Sequence, residues 1–133
     1  MKFLSIDPGC NKSGFVVYCN TSNKVIRYGK VDNTEILKDL TISEGCIVLI
    51  EKPDFLTPKS GREVIDTIFW AGRYRQFFKG SITYGRQYLK KSFGVKKDAE
   101  VIKLIKKEYP HVKLTKDSWQ AFLLIHAFEK GIV

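Results

Sequence analysis

The sequence predicts an α/β domain built on a mixed five-stranded sheet with flanking helices. Three observations lead there. Short apolar runs bounded by turn residues recur along the chain, as buried strands do. The first three runs follow one another with only turns between them, which gives an antiparallel meander. The last two each come after a helical pattern, so each enters the sheet by a crossover. The whole 133-residue chain reads as a single domain, residues 1–133, and 44% hydrophobic residues suffice for a packed core.

The first strand covers residues 2–7, in which Phe3-Leu4-Ser5-Ile6 runs into Asp7 before the turn pair Pro8-Gly9. Residues 14–19 form the second strand, with Phe15-Val16-Val17-Tyr18 at its centre. Asn20-Thr21-Ser22-Asn23 is a turn by composition, and residues 24–31 form the third strand. Asn33 or Thr34 can cap a short helix through Leu40. Cys46-Ile47-Val48-Leu49-Ile50 then runs into Glu51, a fourth strand that follows a helix and so lies parallel to the first. Ser60-Gly61-Arg62-Glu63 has capping-box spacing and opens a helix that Gly80 ends. Residues 81–89 read as the fifth strand. Asp98 can cap a helix bearing Val101, Ile102, Leu104 and Ile105, stopped at Tyr109-Pro110. Thr115 or Lys116 opens the last helix, which continues through Phe128.

Charge is the strongest compositional signal. Lysine and arginine number 23 against 14 acids, a net charge of +9, which favours a polyanionic partner and nucleic acid first. A basic protein without such a partner is the plainer alternative. No apolar run approaches the roughly 18 residues of a membrane span, and Phe3 to Ile6 is too short for a secretory leader. Cys10, Cys19 and Cys46 are odd in number and lack metal-finger spacing, so a reducing cytoplasm is expected.

Two strands each ending in one carboxylate is the pattern that carries chemistry. Neighbouring strands lie roughly 5 Å apart, so Asp7 and Glu51 would converge, and converging anions need a cation. Asp117 falls in the first turn of the last helix, with Gln120 three residues on and on the same side. Asp7, Glu51, Asp117 and Gln120 would together offer an oxygen-ligand set suited to Mg²⁺ or Mn²⁺. Two such ions about 3.5–4 Å apart could flank a scissile phosphate. Each part has a plainer reading. Asp7-Pro8-Gly9 is also an ordinary turn, Glu51 a solvated strand end, and Asp117 an acid favoured by the helix dipole. Asp98 competes as a third acid but ranks lower because a cap role satisfies it. His126 is out of phase with Asp117 and is expected to face away.

These residues resemble a known family. Phe3 through Gly9 with Ser13-Gly14-Phe15-Val16-Val17-Tyr18 is similar to the opening strand-turn-strand of RuvC-like Holliday junction resolvases. Ile47 to Glu51 resembles their fourth strand with its glutamate. Gly85-Arg86-Gln87 through Gly94-Val95 resembles the fifth strand and following loop, and Asp117 to Leu124 the final acidic helix. The resemblance implies a ribonuclease H-like fold and a homodimeric nuclease that resolves four-way DNA junctions with Mg²⁺ or Mn²⁺. It places Asp7, Glu51, Asp117 and Gln120 in the catalytic, metal-binding positions. It implies DNA contacts from Phe55, which could stack on bases, and from Arg86, Lys90, Lys91, Lys96 and Lys97. The small form suggests a phage or viral member acting in the cytoplasm of a bacterial or host cell. One departure stands out: the family's D-x-x-D pattern has Gln120 at its second acid, and a glutamine can ligate but brings no charge. Two alternatives follow, a junction-binding protein without catalysis and a ribonuclease H-like nuclease acting on RNA–DNA hybrids or flaps.

Overall fold

A computed structural model describes residues 1–53 and 60–132. The strands are β1 (Lys2–Asp7), β2 (Lys12–Cys19), β3 (Lys24–Asp32), β4 (Cys46–Lys52) and β5 (Ile82–Gly85). The helices are α1 (Asn33–Lys38), α2 (Arg62–Phe77), α3 (Arg86–Ser92), α4 (Asp98–Glu108) and α5 (Lys116–Glu129). The strands form one sheet in the order β3-β2-β1-β4-β5. The β1–β2 and β2–β3 pairs are antiparallel, whereas β1–β4 and β4–β5 are parallel. The meander and the two crossovers are thus where the apolar pattern puts them.

Alternation along the strands sorts the core into two halves. Phe3, Val16, Tyr18 and Leu49 face α4 and α5, packing with Val101, Ile105, Trp119 and Phe122. Leu4, Ile6, Phe15, Val17 and Ile50 face the other way, against Ile36 of α1, Tyr74 of α2 and Phe78 just after it. α5 is buried almost all round, from Ser118 to Ala127, because the sheet lies on one side and α4 on the other. Ser5 donates its hydroxyl to the Ala121 carbonyl of that helix, which ties α5 to the central strand.

The sequence expectations differ from the structure at helix starts and at β5. β5 is only four residues long, and the chain turns at Gly85 directly into α3. Only Leu89 of α3 is buried, so that helix leaves no periodic apolar stripe in the sequence. The helix expected at Ser60 has Gly61 as its N-cap, without a capping side chain. Asp98 does not cap α4; it is the helix's first residue and pairs with Lys90 at 2.7 Å. Asn33 opens α1 but is buried and makes tertiary bonds instead of capping. All three cysteines are free thiols. Among the described residues, no helix is long and apolar enough to cross a membrane.

Candidate active site

The site forms where β1 and β4 end. Ile6 stands beside Ile50 in the parallel register, so the next residues along, Asp7 and Glu51, are also side by side. Alternation fixes their direction: Phe3 and Leu49 face α5, and so do Asp7 and Glu51. Across the antiparallel pairs, Asp7 registers with Gly14, and Gly14 with Lys30. One row therefore crosses four strands as Glu51, Asp7, Gly14 and Lys30.

The helix acid comes in over the gap in that row. A Cβ built on Gly14 would lie 2.7 Å from the Asp117 carbonyl oxygen and 3.3 Å from its Cβ. The missing side chain is what lets the first turn of α5 rest on β2. Asp117 is thereby held beside Asp7, close enough to act on its charge. On its outer side Asp117 meets Lys30 Nζ at 3.4 Å.

The turn after Asp7 is pinned from the opposite face. The Gly9 amide donates to Ser13 Oγ (3.2 Å), and Asn33 Nδ2 donates to the Gly9 carbonyl (3.0 Å). Ser13 Oγ and Tyr74 Oη both donate to Asn33 Oδ1, at 2.5 and 2.9 Å. A Cβ at Gly9 would come within 2.1 Å of the Lys12 carbonyl oxygen, so this turn closes only around glycine. Ser13, Asn33 and Tyr74 are positioning residues on three separate elements; the sequence shows Asn33 only as a candidate cap and Ser13 only as part of a strand-turn-strand pattern, and gives Tyr74 no role.

The electrostatics are severe. Glu51 is 3% exposed, and burial raises its carboxyl above the usual carboxylate range although Arg86 opposes this. Asp7 is pushed up to about 8, by burial first, then by Glu51 and more weakly by Asp117. One cation serves both acids. Arg86 Nε donates to Glu51 Oε1, and a second guanidinium nitrogen lies 3.2 Å from Asp7 Oδ1. Burial works against the Arg86 charge, but Glu51 and Asp7 outweigh it and raise its pKa.

A hard divalent ion suits this donor set in its chemistry. Asp7 and Glu51 bring two carboxylates to one guanidinium in a corner shielded from water, and Glu51 stands second only to burial among the causes that raise Asp7. The ligand set is less complete than the sequence pattern suggests. Among the described residues, no three acidic, histidine or cysteine side chains converge closely enough to hold a metal ion. Arg86 stands between two of the acids, and Lys30 pairs with the third. Gln120 donates its amide to the Asp98 carbonyl at 3.3 Å. Asp98 itself is held below the usual carboxylate range, chiefly by its hydrogen bond from Lys90. His126 is buried and bonded to Tyr109 at 3.1 Å, away from the acids as its phase predicts.

Beside the acids, Arg86, Lys90, Lys91 and Lys96 line an open groove of about 550 Å³ together with Val95. Lys97 precedes α4 as its N-cap and is exposed. Phe55 lies outside the described residues.

This architecture has solved counterparts. Thermus thermophilus RuvC in complex with a Holliday junction substrate superposes with a TM-score of 0.68 at 16% identity, over 98% of this chain and 96% of that one. The fold is ribonuclease H-like, as in RuvC. A second Thermus thermophilus RuvC structure gives a TM-score of 0.64 at 13% identity, over 98% and 97% of the two chains. No protein-family model matches the sequence, and no curated protein matches it. The likeness to RuvC is therefore one of backbone fold, and it extends along nearly the whole of both chains.

Proposed function

We propose that this chain is a structure-selective endonuclease that resolves four-way DNA junctions by divalent-metal-dependent phosphodiester hydrolysis. The observation that carries the reading is the placement of Asp7 and Glu51. Two buried carboxylates end neighbouring parallel strands, with Asp117 overhead, in a fold shared with a RuvC bound to a Holliday junction. Burying two anions together costs several kcal/mol unless a cation joins them, so a fold keeps such a pair where the cation has a use. Asp7 and Glu51 would hold Mg²⁺ or Mn²⁺, with Asp117 near enough to join. When bound, such ions supply Lewis acidity at a phosphate and lower the pKa of water. The groove lined by Arg86, Lys90, Lys91 and Lys96 would hold the flanking backbone, and a net charge of +9 would draw the polyanion in.

A second copy would complete the enzyme, because a four-way junction presents two symmetric strands. α2 offers a face for it. Ile65, Phe69 and Phe77 are exposed at four- and eight-residue spacing, with Arg73 stacked on Trp70 at 4.4 Å. The helix starts with Arg62 and Glu63, Arg62 pairing with Asp66 at 4.0 Å, and ends with Arg73 and Arg75. Two copies related by a twofold axis would set these helices antiparallel, apolar stripe on apolar stripe, with Arg73 and Arg75 of each copy toward Glu63 of the other.

The test compares a labelled four-way junction with a flap and an RNA–DNA hybrid, in Mg²⁺, Mn²⁺ and Ca²⁺. Paired symmetric nicks in the junction with Mg²⁺ or Mn²⁺ are expected. Tight junction binding without product in either ion would make the chain a non-catalytic binder. That reading has an observation in its favour, since Gln120 brings no charge and no three-ligand group closes among the described residues. Preference for hybrid or flap would replace the junction as substrate. Gln120→Asp adds an acid one helical turn beyond Asp117 and loses only the amide bond to the Asp98 carbonyl. We expect it to preserve or raise the cutting rate in the same assay; a collapse of folding instead would show that position 120 belongs to the core.

A further inference from the structure

The carboxylate pair already holds a cation of the protein's own, and the placement of that cation has a consequence for metal binding. Arg86 follows Gly85, the last residue of β5, and β5 lies against β4. Its guanidinium therefore emerges beside Glu51 and reaches Asp7 as well. Resting on the reading of Asp7 and Glu51 as ion ligands, we propose that Arg86 is an internal plug of the divalent-ion position: it bridges the two acids in the metal-free protein and is displaced when the ion binds.

Three observations support this. The bridge uses Glu51 Oε1 and Asp7 Oδ1, and an oxygen held by an N–H donor of a guanidinium is poorly available to a doubly charged ion beside it, since the two cations repel. The partners differ in freedom. The Arg86 side chain is 46% exposed, against 14% for Asp7 and 3% for Glu51, so the arginine can leave while the acids stay. There is also a place for it to go, because Arg86 borders the groove of Lys90, Lys91 and Lys96, where a phosphate would accept its planar fork through two hydrogen bonds. The plug keeps two buried like charges compensated before the ion arrives, and it makes the ion compete for them.

The test measures Mn²⁺ binding to the DNA-free protein by electron paramagnetic resonance, for wild type, Arg86→Met and Arg86→Lys, with thermal midpoints in EDTA and in Mn²⁺. Arg86→Met removes the competitor and is expected to tighten Mn²⁺ binding about tenfold, within the usual span of coupling effects. Its midpoint will fall in EDTA, because the acids lose their counter-charge, and Mn²⁺ will raise it by more than it raises the wild type. Arg86→Lys keeps the charge without the fork and will bind Mn²⁺ with intermediate affinity. An arginine that merely orders the acids predicts the reverse, weaker binding in both variants, and that result overturns the plug. So does unchanged affinity in both variants. If Arg86→Met does not fold, the lysine variant decides alone. Wild type that cuts junctions in Mn²⁺ while neither variant binds the ion more tightly would overturn the plug and leave the nuclease reading standing. No Mn²⁺ binding by any of the three proteins, with no cutting, would overturn both.

Discussion

Asp7→Asn will abolish junction cutting, leave junction binding intact, and make the metal-free protein more stable. The first two outcomes follow from removing one of the two buried carboxylates that would hold the ion. The third follows from linkage. The Asp7 carboxyl is raised from its usual value of 3.8 to about 8, by burial, by Glu51 and by Asp117, against the pull of Arg86. A carboxyl that binds its proton more tightly in the folded than in the unfolded state makes folding less favourable as pH rises from the unfolded value to the folded one. Wild-type stability in EDTA will therefore fall between about pH 4 and pH 8, and that slope will be smaller in Asp7→Asn. Asparagine imitates the neutral acid, since its side-chain carbonyl can still accept from Arg86, which keeps its stronger bond to Glu51. At neutral pH the variant will melt higher, and each 1 kcal/mol gained corresponds to roughly 4 °C in a domain of this size. Scanning both proteins in EDTA across that pH range, beside a junction gel, checks all three outcomes. A lower midpoint for the variant at pH 8 would show that the Arg86 contact to Asp7 outweighs its crowding.

How much of this site could be read from the sequence depends on the range of the interaction involved. Asp7 and Glu51 were legible because each ends an apolar run, and strand periodicity together with the parallel crossover forces them side by side. Asp117 was legible as a first-turn acid, yet its closeness to Asp7 depends on Gly14, which the sequence shows only as a small residue in a strand. Arg86 was expected on DNA. Its bridge to both acids arises because β5 ends early and α3 starts there, a helix with one buried residue and hence no stripe to reveal it. Gln120 has the right spacing from Asp117, but α4 packs against α5 and offers the Asp98 carbonyl instead. Capping expectations at Asn33 and Asp98 failed for one reason: both side chains had stronger tertiary partners, in the Gly9 turn and at Lys90. Local patterns thus found the strands and their acids. The counter-cations and the helix approach belong to contacts between residues 79 and 87 positions apart, on which periodicity is silent.

Gly14→Ala will cost both stability and cutting, and Gly29→Ala will cost little of either. Gly14 lies on β2 and Gly29 on the neighbouring edge strand β3, one residue out of register, and neither has the positive φ seen at Gly45, Gly80, Gly94 and Gly131. Their surroundings differ. The nearest atom to a Cβ at Gly29 is the Phe15 Cε1 at 3.6 Å, an ordinary contact. At Gly14 the nearest atoms are the Asp117 carbonyl oxygen at 2.7 Å and its carbonyl carbon at 3.1 Å. These are backbone atoms of a helix buried on nearly every side, so no side chain can swing away to make room. Either the start of α5 lifts or β2 bends, and overpacking of that kind costs about 1–3 kcal/mol. Lifting α5 also carries Asp117 away from Asp7 and strains its pairing with Lys30. Cutting should therefore fall in Gly14→Ala even well below its melting temperature, where the protein is fully folded. Comparing initial cutting rates and urea midpoints of the two variants makes the distinction. Equal rates for Gly14→Ala and wild type under folded conditions would mean that the place of Asp117 over Asp7 has no part in the chemistry, and the site would then reduce to the two strand-end acids.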